Sequence, residues 1–419
     1  MTSWTAARRV WVPVLALVGG IVLATAVVNV VGRPHLSATP QPSSSGPASS
    51  ASLGSASPSL AAPGSIQPTP AVASGWTISP FPRADPGDQL ERIVQFGDQL
   101  FVVGAHAGQG AIWHSLDGAE WQLASATPTT HRELGAQIHG IAHTAAGYVA
   151  VGAYYVVDGA FPLIWHSPDG DHWNEVTPNS DECLPLQAVT ATDARFVAVG
   201  AVCRYDSQAQ PQSDGVSFAS TDGVHWQRSP ASPTLVDMGL EDVTWTGSEL
   251  VAAGVYFGTW TKTLHSADGL TWSSSPGAGM PEESFARRIG WVVDRLVAFG
   301  SFKDSAREYH ATVWWSDDGM EWHRQVVGAA KTQANAVALD GSEWVMVGGI
   351  IESDTQLGSF LEWRSADGLA WGAPRVIFGD GSGYFADMVS TGVGILGIGG
   401  IAPERSGDPW VPAIMRFGT

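Results

Sequence analysis

Residues Ser115–Trp121 read SLDGAEW, and the pattern returns five more times along the chain: SPDGDHW (Ser167–Trp173), STDGVHW (Ser220–Trp226), SADGLTW (Ser266–Trp272), SDDGMEW (Ser316–Trp322) and SADGLAW (Ser365–Trp371). Successive copies begin 46 to 53 residues apart. A period near fifty, held over six copies, is the mark of a repeat architecture in which each unit needs its neighbours to bury its apolar face.

Between the copies the text is that of short strands. Runs of one type recur as LFVVG (Leu100–Gly104), YVAVG (Tyr148–Gly152), FVAVG (Phe196–Gly200), LVAAG (Leu250–Gly254), LVAFG (Leu296–Gly300), WVMVG (Trp344–Gly348) and ILGIG (Ile395–Gly399). They are β-branched or aromatic, and each ends on a glycine that is expected to mark a loop. A third strand carries an apolar residue two places before each repeat serine: Trp113, Trp165, Phe218, Leu264, Trp314 and Trp363. Four antiparallel strands per unit, arranged radially, make a propeller blade.

The count of second strands is seven, one more than the count of repeat motifs. The last unit, from Phe385 to Phe417, lacks its motif and its fourth strand. Gly75-Trp76-Thr77-Ile78-Ser79 supplies both a strand and a tryptophan in the right place. The expected fold is therefore all-β: a seven-bladed β-propeller over residues 75–419, closed by the strand near 75–79, which removes the exposed edge.

Ser-x-Asp-Gly-x-x-Trp resembles the Asp-box, or BNR repeat, of the sialidase-like β-propellers, whose boxes usually carry one more residue between Asp and Trp. The resemblance covers residues 75–419, about four-fifths of the chain. It implies a fold, and a box that is a structural turn away from the catalytic face. Turn chemistry agrees: an Asp side chain accepts N–H groups two residues on, and Gly tolerates positive φ. Asp117, Asp169, Asp222, Asp268, Asp318 and Asp367 are thus read as turn formers. A calcium reading is weaker, because one repeated carboxylate per box is too few for a hard cation, and no metal or cofactor is expected.

Two further segments precede the repeats. Arg8 and Arg9 lead into an apolar run from Val10 to Val31, long enough to cross a bilayer as a helix. Basic residues on its N-terminal side place the N-terminus in the cytoplasm and the remainder outside. Residues 1–32 are therefore read as a cytoplasmic stub and uncleaved signal anchor; cleavage after Ala24-Thr25-Ala26 is the alternative. Residues 33–74, almost all Ser, Ala, Pro, Gly, Thr and Gln, are read as a disordered spacer. The expected location is the cell membrane, single-pass, with the propeller extracytoplasmic. There a disulfide is permitted, and Cys183 and Cys203 stand symmetrically about a hairpin turn near Asp193, so they are paired across it.

A net charge of −19, with only three lysines, excludes a nucleic-acid binder, which needs a basic patch. Aligning the first strands places one residue of each blade at the channel mouth: Glu91, His139, Gln187, Glu241, Arg287, Asn335 and Ala386. The next positions include Arg92, Asp242, Arg288 and Asp387. Convergent polar groups in a concave place make these the candidate ligand-binding residues, with a polar lining that satisfies itself as the alternative. Loops on the same face add Tyr154, Tyr155, Asp158, Arg204, Tyr205, Asp206, Tyr256, Trp260, Arg307, Glu308, Tyr309, Glu404, Arg405 and Trp410.

Sialidases of the resembling family use three arginines, a tyrosine–glutamate pair and an acidic acid/base. Arg92, Arg287 and Arg288 offer arginines, but Arg92-Ile93 is followed by Val94 where that family has an Arg-Ile-Pro-like motif. No tyrosine–glutamate pair is assignable, and no nucleophile elbow, zinc motif or phosphate loop occurs. The chain therefore reads as a non-catalytic member: a monomeric binding or scaffold module for a protein or glycan at the cell envelope. The alternatives are a sialidase-like glycoside hydrolase and an envelope assembly factor.

Overall fold

Each Asp-box closes its turn with groups drawn from its own seven residues. The box serine Oγ accepts the glycine N–H at 2.8–2.9 Å in all six copies. The aspartate Oδ1 accepts two N–H groups, two and three residues on, at 2.9 and 2.9 Å in the second box and 2.8 and 2.8 Å in the last. The six glycines take φ between 69° and 82°, where a Cβ is unwelcome. Those donated N–H groups hold the carboxylates of Asp117, Asp169, Asp222, Asp318 and Asp367 below the ordinary range. The aspartates are thus committed to the turn.

The computed structural model describes residues 75–418, except 127–133, 158, 179, 181, 206–210, 257–259, 275–279, 354–355, 379–382 and 404–407. The apolar run 10–31 and the spacer 33–74 lie outside the described residues. Among the described residues no helix is long and apolar enough to cross a membrane, and the one helical element is a 3-10 turn at Pro233–Leu235.

Seven antiparallel sheets follow one another along the chain. Blade one runs Gln89–Phe96, Gln99–His106, Gln109–Ser115 and Gln122–Leu123, from the innermost strand outward. Blades two to six repeat this order, their innermost strands being Gly135–Thr144, Leu186–Ala191, Met238–Trp245, Ser284–Val292 and Thr332–Asp340. Blade seven takes Gly383–Thr391, Gly394–Ile401 and Val411–Phe417, and its outermost strand is Trp76–Pro80, with Trp76 opposite Phe417 and Pro80 opposite Ala413. Blade two gains a fifth strand, as Ser125–Ala126 pairs in parallel with His172–Trp173.

The core is divided rather than central. Seven apolar clusters form, each drawing residues from two adjacent blades. Trp113, Trp165, Trp314 and Trp363 of the third strands are fully buried in them. Five of the six box tryptophans turn their indole N–H back onto the box glycine carbonyl at 2.9–3.1 Å. Trp272 instead donates to Ser217 Oγ of blade three, which in turn donates to Gly269 O. Side chains of the preceding blade clamp several boxes from outside: Arg416 on Gly118 O, Arg195 on Asp268 O and His265 on Gly319 O.

Blade seven has no box to receive the indole of Trp76. The N–H goes instead to the carboxylate of Glu362, which is fully buried in blade six and also bonds Arg364 and Arg375. Glu362 occupies the position before Trp363 that Ser217 occupies before Phe218. Burial opposes its ionisation, but Arg364, the Trp76 N–H and Arg375 outweigh that and hold its carboxyl below the ordinary range.

The glycines that end the second-strand runs do not mark loops. They lie inside the strands, because every innermost strand carries a β-bulge opposite them, as between Leu90 and Arg92, Ile138 and Gly140, or Phe385 and Asp387. A bulge sets two residues against one and pushes a carbonyl toward the partner strand. A Cβ at Gly152 would sit 1.9 Å from Gln137 O, and Gly104, Gly200, Gly300, Gly348 and Gly399 are confined in the same way. Gly152→Ala is therefore expected to cost at least about 2 kcal/mol, the scale of overpacking, in chemical denaturation of the full chain. Glu362→Ala is expected to cost about 3 kcal/mol by leaving Arg375 and the Trp76 indole unpaired and Arg364 with only Glu343 and Asp340; a loss near zero would remove Glu362 from the closure.

Candidate functional site

The seven bulges fall on the channel-mouth ring: Glu91, His139, Gln187, Glu241, Arg287, Asn335 and Ala386 are the inserted residues. A regular strand turns successive side chains to opposite faces. The bulge breaks that alternation, so in blades one, four and five two consecutive charged residues face the lumen: Glu91 with Arg92, Glu241 with Asp242, and Arg287 with Arg288.

Their partners lie across the channel. Arg92 of blade one bonds Asp242 of blade four at 2.6 Å, and Arg288 of blade five approaches Glu91 of blade one at 3.4 Å. In a ring of seven, blades four and five stand opposite blade one, so these two pairs bridge the lumen at the ring. Other ring residues tie neighbours along the circumference. His139 Nδ1 donates to Leu186 O of blade three at 2.7 Å, and Asn335 Nδ2 donates to Phe385 O of blade seven at 2.7 Å. Asp242 Oδ2 accepts the Ile289 N–H of blade five, and Asp387 Oδ2 the Ile93 N–H of blade one. Gln187 and Ala386 make no side-chain hydrogen bond among the described residues.

Two charged ring residues stay uncommitted. Glu241 and Arg287, both half-buried, form no ion pair or side-chain hydrogen bond among the described residues, and Arg287 Nε is buried without a partner. Electrostatics separates the two glutamates. Burial works against ionised Glu91, but Arg288, His139, Arg287 and Arg92 outweigh it and hold the carboxyl below its ordinary value. Burial pushes Glu241 up to about 7, with Arg288 opposing and Asp242 reinforcing. Burial and the neighbouring Arg288 bring Arg287 down to about 10, against the pull of Glu91 and Asp387. Burial keeps His139 neutral, below its ordinary value. Tyr155, whose hydroxyl lies 3.5 Å from His139 Nε2, and Tyr384 at the start of blade seven are both pushed up to about 12 by burial and by Glu91.

The loop aromatics are mostly engaged on their own hairpins. Tyr154 stacks on Phe161, Lys262 lies over Tyr256, and Tyr309 packs edge-on against Phe285. Arg204 pairs with Asp214 and Asp237. Trp410 stands over Tyr384 with ring centroids 5.5 Å apart. Asp158, Asp206, Glu404 and Arg405, and the side chains of Tyr205 and Trp260, lie outside the described residues. Among the described residues no three His, Cys, Asp or Glu side chains gather as a metal site. Cys183 and Cys203 are joined, which bolts the connection into blade three onto its second strand.

Sequence reasoning missed Tyr384, which sits near the start of the innermost strand of blade seven, and missed which charges are already paired. The recurrent Val-Gly and Phe-Gly dipeptides carried the signal for the bulges, since only glycine fits beneath the displaced carbonyl.

No protein-family model matches the chain, and no curated protein does. Among solved structures, YCF48 bound to D1 peptide superposes with a TM-score of 0.53 at 14% identity, over 84% of this chain and 99% of that one. Trypanosoma rangeli sialidase in complex with sialic acid gives 0.48 at 12% identity, over 83% of this chain and 60% of that one. A protein of unknown function from Dyadobacter fermentans gives 0.45 at 14% identity, over 82% and 100%. At such identities the likeness is one of fold: a seven-bladed propeller whose blades carry six Asp-box turns.

A carboxyl that is harder to ionise when folded stabilises the fold only below its unfolded pKa, and that contribution is lost as pH rises toward 7. Glu241→Gln, neutral throughout, should therefore match the wild type at about pH 5 and exceed it at about pH 8, by on the order of 2 kcal/mol. Equal thermal unfolding of the two at pH 8 would contradict this environment for Glu241.

Proposed function

We propose that this chain is a membrane-anchored, extracytoplasmic binding module that takes a segment of a protein partner at its channel mouth. Arg287 carries the reading. Its guanidinium stands half-buried beside Arg288 and near Tyr384, with no ion pair among the described residues. An unpaired charge in such a place is costly, and groups kept at a cost collect at functional sites. The planar fork of arginine suits a carboxylate, either an acidic side chain or a chain terminus. The propeller of YCF48, solved bound to a peptide, shares the fold, and the same use of a propeller suits this ring.

The setting follows from the N-terminal text. An apolar run behind two arginines suits an anchor, the Ser/Ala/Pro-rich stretch suits a spacer, and the Cys183–Cys203 bond suits an oxidising compartment. Service as an envelope assembly factor would be one use of such binding, and a glycan carboxylate would meet the same guanidinium.

A glycoside hydrolase of the sialidase-like kind is the second reading. It is favoured by one observation, that Glu91 and Glu241 are driven in opposite directions, as an acid and its partner carboxylate must be. Against it, Tyr155 and Tyr384 are held protonated, which ill suits a nucleophile.

The test uses the full-length chain in detergent and a phage-displayed library of random dodecapeptides. Selected peptides are expected to favour Asp, Glu or a free C-terminus. Arg287→Gln should weaken them about tenfold, the worth of one charge-assisted contact, while thermal stability stays equal or rises. Undiminished binding to Arg287→Gln would overturn the assignment, and turnover of aryl sialosides would move the reading to the hydrolase.

A further inference from the structure

The lumen charges can be tallied by what each already holds. Arg92 is neutralised by Asp242, and Arg288 by Glu91, across the channel. Asp387 spends its oxygens on the N–H groups of Ile93 and Met388. Arg287, on the side of Tyr384 and Asp387, is one uncommitted cation. Glu241, on blade four, is one uncommitted acid. The charged groups facing it are Asp242 on its own strand and Arg288 from blade five; Arg92 of blade one reaches only as far as Asp242.

The local geometry leaves Glu241 room. Its Oε1 lies 3.3 Å from where a Cβ would stand at Gly239, and that same point is 3.4 Å from Ser213 Oγ and 3.6 Å from the Ala201 Cβ. Glycine at 239 thus clears space for the carboxyl beside the blade-three hairpin, yet among the described residues no donor bonds it. A carboxyl with no donor retains a proton in place of a cation.

We infer that Glu241 is the receptor for a basic side chain, the ammonium of a lysine or the guanidinium of an arginine, presented by the partner segment that the channel mouth binds. This rests on the channel-mouth reading above and gives the partner its second charge: an anionic group for Arg287 and a cationic one for Glu241, which stand at equivalent bulges of adjacent blades. The cation replaces the proton on the carboxyl, so binding below neutrality releases that proton. The chain as a whole carries a net charge of −19, which favours approach of a basic partner.

The experiment measures dodecapeptides selected on the full-length chain against the wild type, Glu241→Gln and Arg287→Gln, at pH 6 and pH 8. A lysine or arginine is expected at one position of the wild-type binders. Replacing it with alanine, or Glu241 with Gln, should weaken binding about tenfold at pH 8. Ionisation of Glu241 as pH rises should tighten wild-type binding about tenfold between pH 6 and pH 8, while Glu241→Gln shows no such rise.

Binders without a basic preference, or with the same affinity and pH slope on Glu241→Gln, overturn the inference. If Arg287→Gln still weakens those binders, only the role of Glu241 falls. If no peptide binds, or neither variant changes any peptide's affinity, the channel-mouth reading falls and this one with it.

Discussion

At one point in each of the seven innermost strands an extra residue is inserted; in blade four Gly254 lies against the Met238 side chain, and in the other six blades the carbonyl just before the insertion is received over a glycine of the second strand. That contact has no tolerance, because a methyl group at Gly104 or Gly348 would overlap the Gln89 or Gln333 oxygen. Most of what is distinctive about the channel descends from it. The bulge ends the in-and-out alternation of the strand and turns consecutive charged residues into the lumen. Without it Arg92 and Glu91 would face opposite sides of a sheet, and only one could reach across to blade four or five.

The outer rim solves a different problem by repetition with one exception. Six boxes satisfy their own turns and hand an indole N–H back to a glycine carbonyl or, through Ser217, to the neighbouring blade. The seventh place has no box because the strand that fills it comes from the other end of the described chain. Its tryptophan finds a carboxylate, Glu362, and burying that charge is tolerable because Arg364 and Arg375 converge on it. Closure of the ring is thereby electrostatic as well as apolar, as at the boundary of blades three and four, where Arg204 pairs with Asp237.

The lumen combines two kinds of charge that look alike in composition. Arg92, Asp242, Glu91 and Arg288 brace opposite sides of the ring, and His139, Asn335 and Asp387 stitch neighbouring blades together. Removing any of these would disturb the scaffold before it disturbed a ligand. Glu241 and Arg287 contribute nothing of the kind and sit where burial disfavours their charged forms. A fold keeps such groups at a cost in stability when a site needs them, which is the physical ground for centring the proposed binding site on these two rather than on the whole ring.

The amino-acid text by itself determined the blade count, the box turns and the closing strand. Those are local or periodic properties: an Asp and a Gly make their turn wherever they stand, and a motif missing from one end and a strand supplied at the other can be counted. It also placed the seven ring positions, since strand alignment needs only the period. It misassigned the Val-Gly glycines to loops, because a bulge is a relation between two strands and neither strand announces it alone. Only the tertiary structure decided which charges are spent. Arg92 and Asp242 are 150 residues apart, and nothing in their sequence neighbourhoods distinguishes Glu91, held below its ordinary value by the arginines around it, from Glu241, pushed up to about 7 by burial three blades away; the difference lies in what faces each of them across a channel that exists only after the ring has closed.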